Sequence, residues 1–166
     1  MTRVAVPPKV RREIQTTADR LGVIDRPRKV WDIYSPYAEQ LDREHIWLVT
    51  LDIYARYGGS ELLGIGLRDR VSFELPDALA AAAALRQKYI VLIHNHPSGY
   101  AYPSSADMKL TDSMAEACAY SGFLLIDHVI LAPPFQFYTF REGRLCEGDD
   151  AAIYNLNEVP RWHKAA

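Results

Sequence analysis

Cysteine is scarce in this chain, with only Cys118 and Cys146 among 166 residues. They form no CxxC knuckle and no disulfide-dense framework, so two reduced, structurally ordinary thiols are expected. Long apolar runs are lacking as well. The longest, Ala78 to Leu85, is eight residues and mostly alanine, far short of the roughly 20 needed to cross a bilayer. The opening residues MTRVAVPPK carry no apolar stretch of the secretory kind, so a cytoplasmic protein without membrane contact is expected. Repeats and low-complexity tracts are absent beyond the alanine run. What is present is a globular average, 49% hydrophobic and 24% charged. That composition excludes disorder, collagen and coiled coil, and the length suits one domain with a core of its own.

Charge of one sign is also missing overall, with 19 Lys+Arg against 21 Asp+Glu, yet it divides unevenly. Residues 1–30 hold eight basic and three acidic side chains, a net of +5, which leaves −7 on the remainder. A basic arm on an acidic body can meet nucleic acid or an acidic partner. Interleaving of Glu13, Asp19 and Asp25 with the positive charges favours the plainer reading, a solvated helical face.

Periodicity predicts a mixed succession of elements. Pro7-Pro8 opens a helix running to Leu21 and closed by Gly22; a second helix follows Pro27, over Lys29 to Leu41, with Val30, Ile33, Tyr34, Tyr37 and Leu41 at helical spacing. His45 to Ile53 reads as a strand, Gly58-Gly59 as a turn, and Glu61 to Gly66 as a returning strand. LAAAAALRQ after Pro76-Asp77 is a strong helix former. KYIVLI (88–93) is a strand buried on both faces, Ser105 to Tyr120 a helix, Phe123 to Leu131 another buried strand, and Phe135 to Phe140 an edge strand. Helices alternating with strands imply an α/β sheet covered by helices.

The chemistry gathers at one strand end. His94-Asn95-His96-Pro97 directly follows KYIVLI. Residues two apart on a strand share a side, so both imidazoles face one point, at the C-terminal end where open α/β sheets place ligands. Asp107 falls in the first turn of the next helix, within Pro103-Ser104-Ser105-Ala106-Asp107. Two imidazoles and a carboxylate are the three-ligand set of a catalytic zinc site, with one position left for water, whose pKa zinc lowers from 15.7 toward about 7. Ser104-x-x-Asp107 also scans as a helix capping box, which needs no metal. An HxH pair alone is a weak signal; the combination is what carries weight.

That combination, His94-x-His96-Pro97, six residues, then Ser104-x-x-Asp107, resembles the JAMM motif of the JAB/MPN+ zinc metalloproteases. The wider runs HNHPSGYAYPSSADMKLTD, LLIDHVIL and RKVWDIYSPYAEQLDREHI resemble the RadC branch of that family. The resemblance implies a JAB/MPN-type fold related to cytidine deaminases, a curved mixed β-sheet flanked by helices. It implies a division into a basic N-terminal arm (1–26), a RadC-like JAB/MPN+ domain (27–140) and a polar C-terminal tail (141–166). It implies one Zn2+ per chain on His94, His96 and Asp107, with Glu44 as general acid/base and the Ser104 hydroxyl donating to a developing oxyanion. Asp127-His128 matches a signature of the same branch. The two point to opposite faces of their strand, so at most one lines the site, and a core histidine paired to backbone is the expectation for His128. His45 and His163 have no motif around them.

The activity so implied is amide hydrolysis by a metallopeptidase or isopeptidase at a protein or ubiquitin-like C-terminal tail. The other reading is a RadC-like role in DNA repair, recombination or mobile-element transactions with nucleic-acid binding, which the acidic body opposes. The string His94-Asn95-His96 is no HNH nuclease, whose three residues lie far apart on a ββα unit. A zinc deaminase is excluded by the absence of H-x-E and PCxxC elements.

Overall fold

The structure, a computed structural model, describes residues 6–66, 73–147, 153–158 and 160. Four helices, α1 (Pro8–Leu21), α2 (Pro27–Ala38), α3 (Leu75–Leu85) and α4 (Ser105–Ser121), accompany six strands. These are β1 (His45–Leu51), β2 (Tyr57–Ile65), β3 (Tyr89–Asn95), β4 (Leu124–Ala132), β5 (Gln136–Thr139) and β6 (Arg144–Cys146). They form one sheet in the order β2-β1-β3-β4-β5-β6. Only β3 and β4 run parallel, joined through α4; the other neighbours are antiparallel. This is the mixed sheet flanked by helices that the resemblance implies.

The sheet is covered on both faces, which explains why β1, β3 and β4 are apolar without alternation. Trp47, Val49, Val91, Ile93, Val129 and Leu131 pack toward α1 and α2 through Ile14, Val30 and Ile33. Ile46, Leu48, Ile90, Leu92 and Leu125 pack toward α3 and α4 through Ala78, Ala82, Met114 and Cys118. Cys118 and Cys146 are both buried thiols, with no disulfide between them. Among the described residues, no helix is long and apolar enough to cross a membrane.

Several elements depart from the periodicity. The expected turn at Gly58-Gly59 lies inside β2, and the chain reverses earlier. There the Asp52 carboxylate accepts the N–H groups of Tyr54 and Arg56, and Ala55 takes a positive φ of 59°. The glycines answer a packing need instead. A Cβ on Gly58 would stand 2.5 Å from Gln87 Cγ, and one on Gly59 2.7 Å from Leu85 Cδ2, where the end of α3 crosses β2. Helix α2 stops at Ala38 rather than Leu41, two residues after an internal Pro36 that has no N–H to bond the preceding turn. At the other end, β6 and the buried Tyr154 belong to the segment expected as a polar tail. Val6, Ile14, Ala18 and Ile24, from the expected arm, are core residues.

Candidate metal centre

Strand pairing assembles the site. β1 and β3 are antiparallel, with Ile46 opposite His94, so the start of β1 lies beside the end of β3. Glu44, fifty positions before His94, thereby arrives at the strand end that carries both histidines. The β3–α4 connection then returns Ser104 and Asp107 over the same end. All five residues singled out by sequence are brought together.

Four of the five are withdrawn from water, with Glu44, His94 and Asp107 buried and His96 nearly so, while Ser104 is exposed. Ligand-capable atoms of Glu44, His94 and His96 all lie within 4.8 Å of one another. His94 stands between two carboxylates, its Nε2 3.2 Å from Glu44 Oε2 and its Nδ1 3.2 Å from Asp107 Oδ1. His96 Nε2 is 3.3 Å from Asp107 Oδ2 and 4.0 Å from Glu44 Oε1. Its Nδ1 faces the Tyr100 carbonyl at 2.9 Å. A carbonyl only accepts, so Nδ1 carries a proton and Nε2 is the nitrogen turned into the cluster, the orientation metal-binding imidazoles adopt.

The capping box is also real. Ser104 Oγ accepts the Asp107 N–H at 3.1 Å, while the Ser104 N–H and hydroxyl both donate to Asp107 Oδ2 at 2.8 Å. Capping and site-building are therefore one structure: the box locks Asp107, and its Oδ1 remains turned to His94. In this geometry the Ser104 hydroxyl is spent on Asp107.

The electrostatics follow. Burial raises the Asp107 pKa, but hydrogen bonding to His94 and His96 outweighs it and holds the carboxyl well below the usual range. Burial lowers the His94 pKa, and Asp107 and Glu44 outweigh it in the other direction, leaving a net rise. Both His94 nitrogens are buried without a hydrogen bond of acceptable geometry, although a carboxylate oxygen stands near each. Orphaned imidazole nitrogens among converging carboxylate oxygens form a donor set able to hold a metal ion.

Two residues support the site, of which Thr111 was not read from sequence. Thr111 lies one helical turn beyond Asp107; its hydroxyl donates to the Asp107 carbonyl at 2.7 Å and lies 2.7 Å from His128 Nδ1. That hydroxyl proton is already used, so His128 Nδ1 donates to Thr111, correcting the expected backbone partner. Burial first, then the nearby His94, pushes the His128 pKa down to about 3, so it is a neutral ring. It lies stacked between Phe140 and His94, with centroids 4.7 and 6.0 Å away. Asp127 points to the other face and takes no part. His45 stacks on Trp47 outside the cluster, and His163 lies outside the described residues.

Comparison with known proteins gives a consistent result. A family model described as the RadC-like JAB domain matches residues 24–145. A UPF0758 protein of Chlorobium chlorochromatii is 27% identical over 137 residues, 82% of this chain and 61% of that protein. Another, from Aquifex aeolicus, is 35% identical over 100 residues, 60% of this chain and 43% of its own length. A third, from Leptothrix cholodnii, is 34% identical over 121 residues, covering 73% and 54% respectively. The chain spans about half the length of the curated relatives it matches.

Proposed function

The chain belongs to the RadC-like JAB domain family, and from that membership we propose that the centre is a zinc-dependent peptidase or isopeptidase site. It hydrolyses an amide bond beside the C-terminal tail of a protein, with ubiquitin-like tails the first class to test. The observation that carries this reading is the convergence of two imidazoles and two carboxylates within 4.0 Å contacts at one strand end.

His94, His96 and Asp107 would hold the metal. Asp107 suits a ligand because the capping box fixes its position and the two imidazoles hold it as an anion, and His96 because its Nε2 is turned into the cluster. When bound, zinc supplies Lewis acidity, polarising a carbonyl and lowering the pKa of a water from 15.7 to about 7. Glu44 stands 3.2 Å from His94 and 4.0 Å from His96, close enough to be a ligand itself, and the resemblance gives it the proton-transfer role instead. It takes a proton from the attacking water and gives one to the departing amine, so that a C–O bond forms, the C–N bond breaks and one water is consumed. Ser104 would help an oxyanion by turning its hydroxyl from Asp107 Oδ2, while its backbone N–H keeps the cap.

The test separates ligand from base. Purified protein should hold about one zinc per chain by elemental mass spectrometry. His96→Ala should lose metal and activity together. Glu44→Gln should keep zinc and lose about 10²–10⁴-fold in turnover, measured on a ubiquitin-like protein fused through its tail to a reporter, with and without chelator. Zinc lost from Glu44→Gln would make Glu44 a ligand. Tight, salt-sensitive DNA binding without chelator-sensitive cleavage would replace this reading with the nucleic-acid one.

A further inference from the structure

Between the two histidines stands Asn95, a wholly buried amide that the motif treats as a free position. Its side chain reaches across to the segment that carries Glu44. The Oδ1 atom accepts the His45 N–H at 2.6 Å, and Nδ2 donates to the Arg43 carbonyl at 3.0 Å. One amide thus engages the backbone on both sides of Glu44.

The reason lies in how the strands part. The ladder between β1 and β3 ends at the Ile46–His94 pair. Beyond it β3 keeps to β4: Asn95 pairs with Leu131, and the His96 N–H bonds the Leu131 carbonyl at 2.8 Å. The gap that opens between β1 and β3 is where Glu44 sits. A carboxamide offers the same donor and acceptor as a peptide group, so Asn95 extends the ladder by one step with a side chain. On the opposite side, the Gly66 N–H holds the Glu44 carbonyl at 2.8 Å. The Glu44 backbone is therefore pinned from β2 and from β3, although it lies just outside the last β1–β3 rung.

We propose that Asn95 is the positioning residue for Glu44, coupling the general base rigidly to the histidines that flank it in sequence. This rests on the reading of Glu44 as the base. The strut fixes the distance between proton-transfer group and metal ligands, leaving the ligands themselves to β3 and α4. A purely structural Asn95 would affect folding alone.

The experiment uses the full chain loaded with zinc, in wild type, Asn95→Ala, Asn95→Asp, Glu44→Gln and the Asn95→Ala/Glu44→Gln double variant. In Asn95→Ala the His45 amide should exchange about tenfold faster or more, with the Leu92 amide unmoved, and zinc content should stay near one per chain. Turnover of the tail-fused ubiquitin-like reporter should fall about 10–100-fold with KM unchanged. In the Glu44→Gln background Asn95→Ala should cost nothing further, because a residue acting only through Glu44 has nothing left to position. Asn95→Asp keeps the acceptor for His45 and should recover part of the rate. Unchanged His45 exchange, or losses that add in the double variant, would overturn the proposal. Should Asn95→Ala fail to fold, the Asn95→Asp pair of measurements decides: the His45 amide should stay protected because its acceptor remains, turnover should fall part of the way because the Arg43 carbonyl has lost its donor, and full turnover would overturn the proposal. Should wild type cleave no fusion, the proposed function fails, and the His45 exchange still decides whether Asn95 holds this segment.

Discussion

Asp107 shows how much one side chain can be asked to do. It is the third residue of a helix cap and the partner of two imidazoles at once. Ser104→Ala should therefore have two effects. Losing the cap should cost about 0.5–2 kcal/mol in urea unfolding, and losing a hydrogen bond to a ligand should weaken zinc roughly 10–100-fold in chelator competition. A cap loss without any change in zinc affinity would separate the two roles. The pH dependence of metal uptake follows from His94. Its pKa is raised, so it holds a proton that zinc must displace, and apparent zinc affinity should climb with pH through that raised value. In metal-free protein the sign is mirrored. The His94 contribution to stability is present below its unfolded value and lost as pH rises through the raised one. The Asp107 contribution is present above 3.8 and lost as pH falls through its depressed value. Calorimetric zinc titrations at two pH values in one ionic strength would check the proton release.

At the scale of elements, α4 was legible because its start carries a complete local signal: Ser104, two residues, Asp107, then apolar positions at helical spacing. β3 was legible because KYIVLI is too short and too apolar for anything but a doubly covered strand. β2 was misjudged at its start because Gly58-Gly59 has the chemistry of a turn, and only the approach of α3 shows its other use. Gly59 is the sharper case. Its φ is +134° and an added Cβ would meet Leu85 at 2.7 Å. Gly59→Ala should destabilise by about 1–3 kcal/mol, as backbone strain adds to the clash. Equal stability of variant and wild type in thermal unfolding would show that α3 can slide.

Across the whole molecule, Asp127 explains what the DH signature contributes on the face away from the metal. Its fully buried carboxylate accepts the His128 and Arg141 N–H groups on Oδ1, and the Thr139 and Tyr154 hydroxyls on Oδ2. Arg141 in turn donates to the Ile126 and Asn155 carbonyls. The cluster ties β4, β5 and the segment around Tyr154 together. Burial pushes the Asp127 pKa up to about 6, its four donors offsetting only part of the cost. A carboxyl raised in the folded state binds its proton more tightly there than when unfolded. Stability from this group is therefore lost as pH rises from 3.8 toward 6, by up to about 3 kcal/mol. Asp127→Asn has no such titration. The stability difference between wild type and variant should move against wild type between about pH 4 and pH 6.5 in urea unfolding. A constant difference would mean that the four hydrogen bonds keep Asp127 ionised throughout.

Sequence alone determined the chemistry of the strand end. A period of two on β3 put His94 and His96 on one side, and the Ser104–Asp107 spacing put a carboxylate on the first turn of the following helix. Such relations are local, governed by backbone geometry over a few residues. The partners were decided only by the tertiary structure. Glu44 reaches the histidines through antiparallel register, Asn95 spans a gap between diverging strands, Thr111 and His128 meet across α4 and β4, and Asp127 captures Tyr154. Each of those contacts joins residues far apart in the chain, and their register is set by the packing of two cores against one sheet, which no local pattern contains.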